Sequence, residues 1–166
     1  MNAIKILNKY SQNKSIIKID YEFNEIIDII KDKINDNYWY LQQVIYPYKA
    51  KDGSTCKELS DKNRSMFIFD ETDKQIAPPE FLIKYSKHIK GDWSSILGFK
   101  DKNIATQTKS ANINALRKCD IAFICIDAAF WFVLANDKSI IDKIKDNGFN
   151  CEEKDFEELI QKHQIY

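Results

Sequence analysis

The sequence predicts an α+β protein in which a mostly antiparallel sheet packs with about four to five helices. Three observations lead there. Apolar residues recur at every second position in some segments and at every third or fourth in others, so strands and helices are both encoded. Glycine and proline are scarce, four and three in 166 residues, which favours long regular elements over loops. Residues 120–126 and 129–135 are two apolar runs with the β-branched and aromatic content of core strands; the intervening Asp127 and Ala128 lack the residues a tight hairpin prefers.

Taken in order, residues 3–11 predict a short helix and residues 15–21 (SIIKIDY) a strand, on their β-branched density. The period then changes. Phe23, Ile27, Ile30 and Ile34 stand four, three and four apart, on one face of a helix with Asn24 as its expected N-cap and Glu25, Asp28, Lys31 and Asp32 on the solvated side. Residues 38–48 (YWYLQQVIYPY) predict a strand that points Trp39, Leu41 and Ile45 one way and Tyr38, Tyr40, Val44, Tyr46 and Tyr48 the other, with Pro47 at its exit. The tyrosine face is suited either to covering a helix or to a partner, and the core reading is the favoured one.

A polar stretch from Lys49 to Arg64 follows, long enough to be a functional or flexible loop, and then residues 66–69 (MFIF) predict a buried strand. Pro78 and Pro79 suit the first turn of a helix running to about Ile89, with Phe81, Leu82, Tyr85 and Ile89 as its apolar face. Residues 92–99 (DWSSILGF) are expected to make one or two helical turns ended by Gly98, and Gly91 reads as a terminator too. Asp137 caps a helix carrying Ile140, Ile141 and Ile144 and stopped by Gly148; a last helix carries Phe156, Leu159 and Ile160. The expected core includes Ile27, Ile30, Phe67, Phe123, Trp131, Val133 and Ile144. With no repeat, low-complexity tract or proline-rich linker, residues 1–166 are expected to form a single globular domain.

Composition excludes several classes. A chain that is 44% hydrophobic is not disordered, and one that is 30% charged is not an integral membrane protein. Lysine plus arginine equals aspartate plus glutamate at 25 each, so no whole-molecule field favours nucleic acid or an anionic membrane. The N-terminal segment alternates apolar and polar residues unlike a signal peptide, and the expected location is the cytoplasm. Cys56, Cys119, Cys125 and Cys151 are accordingly expected to be free thiols. Their shortest interval leaves five residues between two cysteines, too far apart for the close ligand pair of a zinc site, so neither metal nor cofactor is expected. Cys119 and Cys125, six apart, should share one strand face with Ile121 and Phe123 as inert core thiols, while Cys56 lies in the polar loop.

Candidate acid–base groups are few. Residues 66–73 (MFIFDETD) place Asp70 directly after a strand, which resembles the opening of the haloacid-dehalogenase phosphotransferases. Glu71, Thr72 and Asp73 follow, however, so the second aspartate of that pattern is out of place, and a turn rich in Asp and Thr is the favoured reading. His88 and Asp92, four apart, are a second candidate pair, though they straddle Gly91, where a helix is expected to end. Asp70 or the His88/Asp92 pair would serve an alternative function, that of a small hydrolase or phosphotransferase-like enzyme.

Charge is more informative. Residues 84–118 carry eight basic side chains against Asp92 and Asp101, whereas residues 119–166 carry five against ten acids. The acids Glu152, Glu153, Glu157 and Glu158 are the candidate partner-binding residues, able to steer a basic protein. Lys84, Lys87 and Lys90 lack the interleaved arginine or glycine of a nucleic-acid interface, which argues against that partner. Residues 129–149 (AFWFVLANDKSIIDKIKDNGF), with the acidic tail after them, resemble the bacterial immunity proteins of polymorphic and contact-dependent toxin systems. That resemblance implies a cytoplasmic, stoichiometric inhibitor that binds and occludes a cognate toxin, often a nuclease.

Overall fold

The computed structural model describes residues 15–19, 22–44, 53, 75–89, 91, 93–126, 130–147 and 151–162. Within them lie strands β1 (Ser15–Ile19), β2 (Tyr38–Gln42), β3 (Gln75–Ala77), β4 (Ser95–Phe99), β5 (Ile121–Ile126), β6 (Phe130–Ala135) and β7 (Cys151–Lys154). The helices are α1 (Phe23–Ile30), α2 (Phe81–Tyr85), α3 (Lys102–Gln107), α4 (Ile113–Lys118), α5 (Lys138–Asp146) and α6 (Phe156–Gln161), with single 3-10 turns continuing α1 and α2. The strands form one sheet in the order β3-β2-β4-β5-β6-β1-β7, and every neighbouring pair is antiparallel. The α+β expectation therefore stands, with six α-helices among the described residues rather than four to five.

Helices cover both faces of this sheet. On one face α1, α2 and α5 bury Phe23, Ile27, Ile30, Leu82 and Ile144 against Trp39, Leu41, Ile96, Phe123, Trp131 and Val133. On the other, α3, α4 and α6 bury Ala105, Leu116, Phe156 and Leu159 against Tyr40, Leu97, Ile124, Phe132 and Leu134. An antiparallel sheet commonly leaves one face wet and then alternates apolar with polar. Here neither face is wet in the middle, which is why β4, β5 and β6 read as nearly unbroken apolar runs. Each fully buried Ile, Leu or Phe contributes roughly 1.5–3 kcal/mol. Of the expected core, all but Phe67 are buried; Phe67 lies outside the described residues.

Several local expectations change. Residues 95–99 are not helical: Ser95–Phe99 is an interior strand, buried at every position and paired on both sides. Gly98 is no terminator there. It sits opposite Trp39, and a Cβ on it would lie 2.6 Å from Trp39 Cζ3 and 2.7 Å from Ile121 Cγ2, so the missing side chain makes room for the indole. Gly91 is likewise overlaid by Trp131 and Cys125.

The N-cap of α1 is Glu22 rather than Asn24, and Glu25 Oε2 accepts from the Glu22 backbone N–H at 3.2 Å, a reciprocal use of the free first-turn donors. Val44 does not share Tyr40's face. Gln43 adopts φ 54°, breaking the alternation and turning Val44 onto the Trp39 side. Ser94 Oγ holds this kink by donating to the Gln43 carbonyl at 2.6 Å. Tyr40 is buried and Tyr38 partly so, as the core reading requires; Ile45, Tyr46 and Tyr48 lie outside the described residues.

Cys125 shares the Ile121 and Phe123 face, but Cys119 does not, because it precedes the strand as the C-cap of α4 and packs on the opposite side. The helix at residues 3–11, the loop from Lys49 to Arg64 apart from Gly53, the strand at 66–69 and the stop at Gly148 also fall outside the described residues.

Candidate functional site

The acidic surface begins where β7 gives way to α6. Asp155 N-caps this helix, its Oδ1 accepting from the Glu158 backbone N–H at 2.8 Å. Phe156 and Leu159 face the core, which fixes the helix's rotation and leaves Glu157 and Glu158 exposed in its first turn, where the helix dipole favours negative charge. Upstream, Glu152 and Glu153 occupy β7, the edge strand beside β1. Residues 151–162 hold five acids and only two lysines.

None of the four glutamates stands alone. Arg117 of α4 donates from Nη1 and Nη2 to the two carboxylate oxygens of Glu157, at 2.8 and 3.0 Å, while its guanidinium lies 5.3 Å from the centre of the Phe156 ring. Lys162 pairs with Glu158 one helical turn away, Lys154 with Glu152, and Lys145 of α5 with Glu153. The hydrogen bond from Lys145, and then its charge, hold the Glu153 carboxyl below the usual carboxylate range and raise the Lys145 ammonium in return. These pairings give the glutamates a task within the fold as well, Glu157 above all, since it joins α6 to α4. The four carboxylates nevertheless keep side-chain exposures of 48 to 65%.

They also divide between two faces. Side chains alternate along β7, so Glu153 turns toward α5 while Glu152 turns the other way, to the side on which α6 packs. Glu152, Glu157 and Glu158 thus belong to one side of the molecule, with Glu153 around the edge strand from them.

His88, the last residue of the 3-10 turn after α2, is buried at 6% exposure; Asp92 and Asp70 lie outside the described residues, as does Cys56. Cys119, Cys125 and Cys151 are free thiols. Among the described residues no cluster of three or more His, Cys, Asp or Glu side chains is placed to hold a metal ion, and no helix is long and apolar enough to cross a membrane.

Sequence reasoning missed one feature, a cleft of about 370 Å³ between α3 and α4, lined by Ile104, Gln107, Lys109, Asn114 and Lys118 among others. A signal for it existed, because residues 102–118 contain no acid at all. No protein family, curated protein or solved structure matches this chain.

Proposed function

We propose that this protein is a stoichiometric inhibitor that binds a basic protein partner through Glu152, Glu157 and Glu158, with Glu153 at the margin, as an immunity protein binds its cognate toxin in the cytoplasm. One observation carries the reading: Glu157 and Glu158 are exposed on a helix whose apolar side is locked into the core, and Arg117 fixes Glu157 from beneath. Charges already in position cost little further ordering on association, and they accelerate encounter with a cation-rich surface. A nuclease toxin, which must itself attract phosphates, presents such a surface.

The test is association kinetics with the purified product of the neighbouring gene at two salt concentrations. Glu152→Lys with Glu158→Lys spares the Arg117 pair, so folding should be intact while the association rate falls about tenfold or more and loses most of its salt dependence. Unchanged rates would remove this surface from consideration. No binding at all, combined with a hydrolytic activity abolished by Asp70→Asn, would move the function to the acid–base enzyme class.

A further inference from the structure

The cleft between α3 and α4 stands apart from the acidic surface in chemistry. Its floor is rigid: Tyr40 Oη donates to the Lys109 carbonyl at 3.0 Å, and Gln42 Oε1 accepts from the Ala111 N–H at 2.8 Å, pinning the connection between the two helices to β2. Within the wall, Thr108 Oγ1 donates to the Ile104 carbonyl at 2.9 Å and Asn112 Nδ2 donates to Ser110 Oγ at 2.9 Å, so those groups are already engaged.

Four lining side chains are not. Gln107, Lys109, Asn114 and Lys118 make no side-chain hydrogen bond or ion pair among the described residues. Lys109 and Lys118 are thus two exposed cations at a single cleft, neither with a carboxylate among the described residues. No acid lines the cleft, while Ala115 and Ile104, the latter 39% exposed, supply an apolar patch.

We propose that this cleft is a binding site for a small phosphate monoester. Two ammonium groups match the two negative charges of a monoester at neutral pH, and lysine acts on phosphate as a point charge without needing a bidentate geometry. The amide groups of Gln107 and Asn114 supply donors for the remaining phosphoryl oxygens or the hydroxyls of the ester's body. A volume of about 370 Å³ is at the small end of ligand pockets, suited to a phosphorylated sugar rather than a dinucleotide. None of Glu152, Glu157 and Glu158 lines the cleft, and the site does not depend on their role.

Amide chemical-shift titration of the full-length protein checks this, with ribose 5-phosphate, inorganic phosphate, succinate and a short single-stranded DNA as separate probes at physiological salt. Saturable shifts confined to residues 104–118 are expected with ribose 5-phosphate at millimolar concentration or below, with weaker binding of inorganic phosphate. Lys109→Gln with Lys118→Gln should weaken that binding about tenfold or more and leave the thermal midpoint unchanged, because both side chains are exposed. Equal binding by the double variant, equal or tighter binding of succinate, tighter binding of the DNA, or no saturable shift with ribose 5-phosphate would each overturn the proposal.

Discussion

Arg117 and Glu157, forty residues apart in sequence, meet in a two-pronged pair that fastens α4 to α6. The arginine is mostly covered, at 16% side-chain exposure, and the glutamate is half open, so water screens the pair only from one side. A double-mutant cycle with Glu157→Gln and Arg117→Gln should give a coupling of about 1 kcal/mol that shrinks in high salt. Zero coupling in urea titrations would show that the geometry contributes nothing to stability.

Gly98 yields a second expectation. Adding one methyl group drives Cβ into both the Trp39 ring and Ile121, on a strand flanked by neighbours that cannot retreat. Gly98→Ala should therefore destabilise the protein by about 1–3 kcal/mol even though alanine is ordinarily the better strand residue, and it should perturb Trp39 in near-ultraviolet circular dichroism. An unchanged denaturant midpoint would contradict the close contact.

Trp131 is stacked on Phe23 with ring centroids 4.6 Å apart and is 5% exposed. Trp131→Ala should cost about 3–5 kcal/mol, since it leaves both a lost transfer term and a hole between α1 and the sheet. A near-zero shift in denaturant midpoint would place the indole at the surface instead.

Asp137 sets a pH dependence. Hydrogen bonds from Ser139, side chain first and then backbone N–H, hold its carboxyl below the usual carboxylate range. A value lower in the folded than in the unfolded state contributes stability that is present above the unfolded value and is lost as pH falls through the folded one. Asp137→Asn keeps a capping oxygen but no charge, so it should be less stable than wild type at neutral pH and converge on it below about pH 4. Asp137→Ala removes the cap and should lose about 1 kcal/mol of stability at neutral pH. Parallel stability curves for wild type and Asp137→Asn across the acid range would refute the charge contribution.

What was legible in the sequence follows how locally each feature is determined. The periodic apolar residues of α1 and α5, and the dense runs of β5 and β6, declare themselves because their own spacing decides the outcome. Ser95–Phe99 misleads because Gly98 looks like a helix stop until Trp39 is known to lie across it. β7 escapes notice because Cys-Glu-Glu-Lys has no apolar alternation and is a strand only through its pairing with β1. The candidate acids were visible as composition, but their partners were not: Arg117 and Lys145 reach them through tertiary structure that no short window records. The cleft was hidden for the same reason, since its polar residues become a site only once α3 and α4 are set against Gln42 and Tyr40.

The place of β1 has a consequence for how the chain is made. Ser15–Ile19 pairs on one side with Phe130–Ala135 and on the other with Cys151–Lys154, so the first described strand to leave the ribosome must wait for two segments made much later to supply its hydrogen-bonding neighbours. Contacts that span most of the chain close slowly, and until they do the early segment is exposed to chaperones and proteases. A nascent chain stalled before Phe130 lacks both neighbours of β1, and the sheet closes around it only after Cys151–Lys154 has been made.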